Sequence, residues 1–321
     1  MPVLSFIALT TLSGIGRADG GPSAVLGEAK GPHGRPTEAN PGVWGTNATY
    51  EYAALLERRD QAFTASHVEA LKKYKVLFVP GLLTDVYLSI GLPYFDEYIK
   101  WLKSLGVDAE RVGVESEGSP RLNALTLAVY VYKSEKPVLI VSHSKGGIDT
   151  LEALLRFPDL KEKIKGWIPI QGPFYGSPIA DDITDNPIRN FFVVMLLNMA
   201  DGDSEALKSL TTDVRKQILV RHYEAIRSLS REIPIVSLAT HIEDEPWKLD
   251  TSMEFYRDSM ARQGIRSDGL VPLESAIFPG SDYVALSEVD HAITTRWSLF
   301  LSFDRIRSTK ILLAMLLNRI P

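Results

Sequence analysis

The chain of 321 residues contains no cysteine. This absence excludes disulfide bonds, thiolate metal ligands and a cysteine nucleophile together. It does not identify a compartment, because exported and cytosolic proteins can both lack disulfides. With 45% hydrophobic and 23% charged residues, the composition is that of an ordinary globular protein, long enough for one large core or two small ones.

An excess of positive charge is also missing. The sequence has 35 Lys and Arg residues against 40 Asp and Glu, a formal net charge of −5. No run of Lys and Arg alternates with aromatic residues along one face, although binding to a phosphate backbone requires such a surface. Nucleic acid is therefore not an expected partner.

Three motifs of cofactor-dependent enzymes are absent. The sequence contains no G-x-x-x-x-G-K-[ST] phosphate loop, no G-x-G-x-x-G dinucleotide fingerprint and no H-E-x-x-H metal motif. Each of these motifs places backbone amides or ligand side chains against the bound group. Nucleotide-dependent and metal-dependent chemistry therefore have little support, and no cofactor is expected.

The apolar runs are too short to cross a membrane. The N-terminal run Val3–Leu12 falls short of the roughly 20 apolar residues that a transmembrane helix needs. Gly16-Arg17-Ala18 has the spacing of a signal-peptidase site, but no Lys or Arg precedes the run, so export and a plain N-terminal segment are both compatible with it. Residues 14–45 are rich in Gly and Pro, which favours an extended arm, and we interpret residues 1–45 as a leader.

From residue 46 onward, apolar strand patterns alternate with helical ones. This alternation predicts an α/β domain with a mainly parallel, doubly wound sheet and helices on both faces. The predicted strands are Lys75–Val79, Arg111–Val114, Pro137–Val141, Gly166–Gln171, Ile233–Leu238 and Tyr283–Leu286. The predicted helices include Tyr50–Tyr74, Tyr94–Leu105, Leu122–Tyr132, Ile148–Arg156 and about 303–319.

One stretch interrupts the alternation. Residues 181–230 show no strand pattern and are helical throughout, which predicts a helical cap inserted over the sheet edge at about 176–230. Within it, Phe191–Leu197 is apolar on all sides. Burial among ordinary packing helices is the alternative for such a segment.

The turn Ser142–Gly147 follows a buried strand and directly precedes a helix. Ser144 lies at its apex, with small residues at Ser142, Gly146 and Gly147. This is the pattern of a nucleophile elbow, in which a tight turn holds a serine hydroxyl above the sheet. A short motif also recurs by chance, so the alternative is an ordinary strand-to-helix turn.

A serine hydroxyl needs a neighbouring base to become a nucleophile. Of the six histidines, His33 lies in the predicted leader, and His67 and His222 lie on predicted helices. His241 and His291 each follow a predicted strand. His143 adjoins Ser144, so its side chain should point away from the serine and serve in packing or support. Doubly wound hydrolases place the histidine on the loop after the last strand, which favours His291 as the base.

The base in turn needs a carboxylate that orients it. Asp268 lies in a glycine-containing loop between the last two predicted strands and is the favoured acid. Asp244, just after the strand at 233–238, is the competing candidate. Asp290 adjoins His291 and is badly placed to bond its ring.

Four segments together resemble the bacterial lipases of the α/β-hydrolase superfamily, in the group of pseudomonad and Burkholderia triacylglycerol lipases. The resemblance runs from about Lys75 to Thr295. The segments are Val79–Leu82, Ser142–Gly147, Gln171–Asp181, and Ser267–Val271 paired with Val289–His291.

The resemblance implies a role for each matching residue. Ser144 would be the nucleophile, Asp268 the orienting acid and His291 the general base. The backbone N–H groups of Leu82 and Lys145 would form an oxyanion hole, and an acyl-enzyme would form and then be hydrolysed. The apolar stretch in the cap would line or cover an acyl pocket, with candidates Phe191, Phe192, Met195 and Leu196.

Three positions depart from the lipase pattern. Pro80-Gly81 stands where the family usually has His-Gly, which alters the loop wall. Ile293 stands where several members have a calcium-binding Asp, so the resemblance gives calcium little support. Lys145 replaces a more usual Gln or Met; its charge could favour acidic substrates, but we expect its long side chain to reach solvent instead.

The combined patterns predict a serine esterase or lipase acting on carboxylic esters with an apolar acyl chain. The expected partner is a small-molecule or lipid ester, with transient contact to a lipid interface. A thioesterase, amidase or acyltransferase on the same scaffold is an alternative, because fold and residue types do not determine the leaving group. A catalytically silent binding protein is the alternative of a different class.

Overall fold

A computed structural model describes residues 45–58, 61–89, 91–185, 204–243, 251, 253–295 and 303–321. Within these residues the strands form one parallel sheet in the order β2-β1-β3-β4-β5-β6. The strands are β1 (Lys75–Val79), β2 (Asp108–Arg111), β3 (Val138–His143), β4 (Ile164–Ile170), β5 (Val236–His241) and β6 (Asp282–Ser287). The expectation of a mainly parallel sheet is confirmed.

The strand order reverses between β1 and β3. The chain runs outward from β1 to the edge strand β2, then crosses back to β3 and continues toward β6. Val79 pairs with Ser142 at the carboxyl ends of the two central strands. In open parallel sheets the loops diverge at such a reversal and leave a crevice for a ligand, so the elbow at Ser144 lies at the expected place.

The helices pack on both faces of the sheet. In chain order they are α1 (Thr49–Glu57), α2 (Ala65–Leu71), α3 (Thr84–Ser89), α4 (Asp96–Ser104), α5 (Pro120–Lys133), α6 (Lys145–Arg156), α7 (Leu160–Lys163), α8 (Pro178–Asp185), α9 (Ser204–Lys208), α10 (Thr212–Arg221), α11 (Tyr223–Glu232), α12 (Glu254–Ala261) and α13 (Arg305–Leu317). Among the described residues, no helix is both long enough and apolar enough to span a bilayer.

Alternate residues of each central strand enter two different cores. In β1, Val76 and Phe78 pack with α4 and α13 on one face. Leu77 and Val79 pack with α5 and α6 on the other face. Because side chains alternate along a strand, a strand that is apolar at every position must be covered on both sides. The continuous hydrophobic runs of the sequence thus explain the doubly wound architecture.

Residues 45–48 cover the outer edge of β6. Tyr283 donates its backbone N–H to the carbonyl of Thr46 over 3.0 Å and accepts from the N–H of Ala48 over 2.8 Å. This pairing protects backbone groups that an edge strand otherwise leaves open to other chains. The rest of the predicted leader lies outside the described residues.

The predicted edge strand is wrong by three residues. The apolar pattern placed it at Arg111–Val114, whereas β2 spans Asp108–Arg111. Val112 and Val114 are buried all the same, but they lie beyond the strand, in the chain leading to the crevice. An edge strand pairs on one side only, so polar residues such as Asp108 are tolerated in it.

The helix predictions differ from the structure at four places. The single helix expected over Tyr50–Tyr74 is wrong, because two helices, α1 and α2, occupy that region. Helices α3, α7 and α12 were not predicted; their sequences are short, and α12 has its apolar side chains interrupted by charged ones. Short helices depend on tertiary packing more than on propensity.

The connection from β4 to β5 contains helices α8 to α11 and no strand in its described part. This agrees with the helical character expected of residues 181–230. Residues 186–203, with the candidates Phe191, Phe192, Met195 and Leu196, lie outside the described residues. The cap boundaries and the lid therefore stay predictions.

Candidate active site

Ser144 occupies a strained backbone position between β3 and α6. Its φ is 52° and its ψ is −128°, a conformation that non-glycine residues rarely adopt. The turn is tight enough that a Cβ added to Gly146 would lie 2.3 Å from the carbonyl oxygen of Val79. The first turn of α6 therefore lies as close to the end of β1 as a glycine allows, and Ser144 is held at the carboxyl edge of the sheet.

Ser142 stands where elbows usually have glycine, and its hydroxyl has a partner. The indole N–H of Trp167 donates to Ser142 Oγ over 2.8 Å. Both residues are fully buried. A buried indole N–H needs an acceptor, so the serine at this position supplies a hydrogen bond that glycine would leave unmade.

A local turn orients the carboxylate of Asp268. Its Oδ1 accepts the backbone N–H groups of Leu270 over 3.0 Å and Val271 over 2.8 Å. Gly269 adopts a φ of 101°, which only glycine reaches without strain. With Oδ1 occupied, the fully buried Asp268 presents its other oxygen, Oδ2, toward the sheet edge.

His291 lies between Asp268 and Ser144. Its Nδ1 is 2.8 Å from Asp268 Oδ2, and its Nε2 is 2.9 Å from Ser144 Oγ. A carboxylate only accepts, so Nδ1 carries the proton, and the Nε2 of the neutral ring accepts from the serine hydroxyl. The structure thus brings three residues of the predicted site within hydrogen-bond distance, across 147 positions of sequence.

The other acid and base candidates have different partners. His241 Nε2 lies 2.9 Å from Glu243 Oε1. Asp290 accepts the N–H groups of Ala292 and Ile293 on one carboxylate oxygen, which shapes the turn after His291 instead of bonding its ring. Asp244 lies outside the described residues.

The two expected oxyanion donors flank the serine. Lys145 is the first residue of α6, and Leu82 lies in the loop after β1; Leu82 lines the same cleft as Ser144. Their backbone N–H groups have no hydrogen-bond partner among the described residues. Both N–H groups are therefore available to a ligand, and the one at Lys145 also has the attraction for negative charge of a helix N-terminus.

No protein-family model and no curated protein matches this sequence. Among solved structures, the chain is similar to a metagenomic carboxyl esterase, with a TM-score of 0.63 and 23% identity over 77% of this chain and 76% of that one. It is also similar to the mature Bacillus licheniformis lipase BlEst2, with a TM-score of 0.55 and 22% identity over 68% and 85% of the two chains. A third similar structure is lipase 1 from Pelosinus fermentans, with a TM-score of 0.50 and 13% identity over 76% of this chain and 99% of that one.

The chain has the α/β-hydrolase fold. At these identities the likeness concerns the fold, and the narrower resemblance to pseudomonad and Burkholderia lipases stays a prediction. The elbow at Ser144 occupies the turn between a central strand and its helix, where an α/β hydrolase carries its nucleophile.

The cleft at Ser144 and His291 is mostly apolar. None of its described lining residues is an Asp, Glu, Lys or Arg. The lining side chains are Leu82, Leu83, Tyr87, Tyr94, His143, Ser144, Pro173, Ser177, Ile179, Ala180, Ile183, Leu207, Leu210, Met253, Leu270, Val271, His291, Ala292 and Thr295. Such a surface binds a neutral, apolar group.

The expectation that the Lys145 side chain reaches solvent is wrong. The residue is 1% exposed, and its Nζ donates to both carboxylate oxygens of Asp149 over 3.0 Å. The side chain extends along α6 to a residue one turn away. Its positive charge is therefore paired with a carboxylate and does not line the cleft.

His143 supports the site from behind, as its position beside Ser144 predicts. Its ring bonds Tyr94 and the backbone carbonyl of His291. Sequence reasoning missed Tyr94, for which no motif exists, and assigned no role to Gln171, whose amide contacts the His291 loop at the Asp290 carbonyl. The position of Gln171 directly after β4, at the carboxyl edge of the sheet, was the available signal.

Metal ligands do not cluster in the described part of the chain. No group of three or more His, Asp or Glu side chains there is arranged to hold an ion. Ile293, at the position discussed for calcium, is buried and contributes a backbone N–H to Asp290.

Proposed function

We propose that this protein is a serine hydrolase of carboxylic esters, with Ser144 as nucleophile, His291 as general base and Asp268 as the orienting carboxylate. One observation carries the proposal: the continuous line of hydrogen bonds from Asp268 Oδ2 through His291 to Ser144 Oγ. A hydroxyl, an imidazole and a carboxylate in that order are the arrangement that activates serine for acyl transfer.

In the first step, Ser144 Oγ attacks the ester carbonyl carbon while His291 Nε2 takes the hydroxyl proton. A tetrahedral intermediate forms, and its collapse breaks the bond to the alkoxy oxygen. His291 returns the proton to that oxygen, so the alcohol leaves neutral and the acyl group remains on Ser144.

In the second step, a water molecule displaces Ser144 from the acyl group. His291 Nε2 takes a proton from water, whose oxygen attacks the acyl carbon. Collapse of the second intermediate returns the proton to Ser144 Oγ and releases the carboxylic acid. Asp268 stays ionised throughout and holds His291 in the required tautomer. Every group in both steps comes from this chain or from water, so the proposed reaction needs no cofactor.

The negative charge on the carbonyl oxygen requires donors placed in advance. We assign this role to the backbone N–H groups of Leu82 and Lys145, which flank Ser144 and have no partner among the described residues. Donors that do not reorganise during the reaction stabilise the developing oxyanion most effectively. The identity of the Lys145 side chain is irrelevant to this role, because only its backbone contributes.

The cleft supports a neutral ester with apolar acyl and alcohol groups as the substrate. Its described lining carries no ionised carboxylate, ammonium or guanidinium group, and burying an unpaired charge against apolar walls is costly. The three structurally similar proteins are a carboxyl esterase and two lipases, which agrees with this substrate class. Contact with a lipid interface is proposed only as a consequence of such substrates.

The test is hydrolysis of a short p-nitrophenyl ester by the wild type and by Ser144→Ala, with a fluorophosphonate probe as the second readout. We expect Ser144→Ala to fold normally but to lose hydrolysis and labelling, and His291→Ala to lose labelling as well. Full activity in Ser144→Ala would overturn the proposal. No labelling of the wild type would favour a binding protein with a silent hydrolase fold.

A further inference from the structure

Two buried side chains outside the proposed triad connect the loop after β1 to the loop after β6. The N–H of Gly81 donates to the Tyr94 hydroxyl over 3.2 Å. That hydroxyl lies 2.5 Å from His143 Nδ1, and His143 Nε2 lies 3.0 Å from the carbonyl oxygen of His291. Tyr94 and His143 are 2% and 3% exposed, so these contacts are shielded from water.

The chemistry of the partners determines where the protons lie. A carbonyl oxygen only accepts, so His143 Nε2 must donate to His291. The second neighbour of Nε2 is the side-chain oxygen of Gln171 at 3.1 Å, which also accepts from Thr294. In a neutral ring Nδ1 is then the acceptor, and Tyr94 donates to it. The hydrogen bonds thus run in one direction from Gly81 to His291.

The two ends of this series of hydrogen bonds lie at residues of the proposed catalytic site. Gly81 directly precedes Leu82, whose N–H is the proposed oxyanion donor, and the other end is the backbone of the proposed base. The loop at Gly81 packs too closely against Ser144 to accept a side chain, because a Cβ added there would lie 2.8 Å from Ser144 Cβ. The rings of His143 and His291 are also in contact, with centroids 4.7 Å apart.

We propose that Tyr94 and His143 are positioning residues that hold the oxyanion loop and the base at a fixed separation. The inference rests on the function proposed above. Neither side chain takes part in bond making; each acts through a backbone group of Gly81 or His291. Loss of either link lets the two halves of the site drift apart, and a misplacement of about 1 Å can lower a rate by roughly 100-fold.

The kinetic test compares Tyr94→Phe with a matched control, Tyr52→Phe. Tyr52 is equally buried, and its hydroxyl bonds Ser308 over 2.9 Å in the packing between α1 and α13. Each variant loses one buried hydroxyl. We expect Tyr94→Phe to lower kcat by roughly 10- to 100-fold with KM within about twofold, and Tyr52→Phe to leave kcat unchanged.

A double-mutant cycle tests whether Tyr94 and His143 act as one unit. In His143→Gln the amide nitrogen can take the place of Nε2 and donate to the His291 carbonyl, while no acceptor remains at the position of Nδ1 that faces Tyr94. The double variant Tyr94→Phe/His143→Gln should be no slower than the slower single variant, because both changes interrupt the same series of hydrogen bonds. Losses that multiply, or a kcat of Tyr94→Phe equal to that of the control, would overturn the proposal.

Nitrogen NMR of the histidine rings provides a readout that does not depend on activity. We expect the His143 ring to be neutral with its proton on Nε2, and the His291 ring signals to shift in Tyr94→Phe but not in Tyr52→Phe. A proton on Nδ1 of His143, or unshifted His291 signals, would contradict the positioning role. If the wild type neither hydrolyses esters nor reacts with fluorophosphonate, the proposed function fails, while this measurement still decides whether Tyr94 and His143 hold His291.

Discussion

Lys145, the residue directly after Ser144, forms an ion pair in the protein interior with Asp149, one helical turn further along α6. The Lys145 Nζ lies 3.0 Å from each carboxylate oxygen of Asp149, and both side chains are 1% exposed. Burial raises the pKa of Asp149, although Lys145 and the amide of Asn123 counteract it. Removing these charges from water costs free energy that their attraction offsets only in part.

Breaking this pair should destabilise the protein more than replacing it. Asp149→Leu leaves a buried ammonium without a partner, so we expect a loss of about 3–5 kcal/mol in the free energy of unfolding. The double variant Lys145→Met/Asp149→Leu removes both charges and should recover most of that loss. Urea denaturation measures both values, and a double variant as unstable as Asp149→Leu would contradict the interpretation.

The assignment of the acid can be tested on two aspartates. In Asp268→Asn the amide nitrogen would face His291 Nδ1, which reverses the tautomer and removes the acceptor for Ser144. We expect kcat to fall on the order of 10⁴-fold with the fold retained. Asp244→Asn is the matched control, with kcat expected within about twofold of the wild type. A large loss in the control and a small one in Asp268→Asn would reassign the acid to Asp244.

The two glycines after the serine should differ sharply in their tolerance of alanine. A Cβ at Gly146 would lie 2.3 Å from the Val79 oxygen and 2.6 Å from the Pro80 oxygen, both backbone atoms. At Gly147 the nearest atom is the ring edge of Phe174, at 3.3 Å. We expect Gly146→Ala to cost more than about 3 kcal/mol and Gly147→Ala about 1–2. Equal thermal stabilities of the two variants would refute this reading of the elbow.

Substrate charge should matter more than modest changes in substrate size. An anionic ester, such as a p-nitrophenyl hemisuccinate, would place a carboxylate against a lining without a cation in its described part. We expect its kcat/KM to be lower by about tenfold or more than that of the neutral butyrate. Comparable values for the two esters would show that a positive group reaches the substrate.

The stability of the protein should fall at mildly acidic pH in part because of His241. Burial lowers the pKa of His241, with the bond to Glu243 acting in the opposite direction. Below the ordinary histidine value of about 6.5, the unfolded chain takes up a proton that the folded chain still excludes. The free energy of unfolding should therefore decrease as pH falls through this window, by no more than about 1.4 kcal/mol per pH unit.

Unfolding of the wild type and His241→Gln at several pH values would check this contribution. In the variant, the free energy of unfolding should depend less steeply on pH between the ordinary histidine pKa and the lowered pKa of His241. An identical slope in both proteins would show that His241 contributes nothing to the pH dependence.

The sequence by itself determined the features that depend on neighbouring residues. The run into Ser144 and the small residues behind it specify a strand, a tight turn and a helix, because short-range sterics decide them. The glycine after Asp268 marks its turn for the same reason. The order of Ser144, Asp268 and His291 along the chain predicted which residues would meet, and their side chains do lie within hydrogen-bond distance.

Only the tertiary structure decided what depends on partners distant in sequence. The Ser142 hydroxyl has its hydrogen-bond partner in Trp167, on the next strand, and Tyr94 lies 49 positions from the His143 that it bonds. Lys145 was expected in solvent because a lysine normally is; α6 packs against α5 and encloses it with Asp149. The free energy of a buried charge depends on the groups that surround it, and only the folded chain brings those groups together.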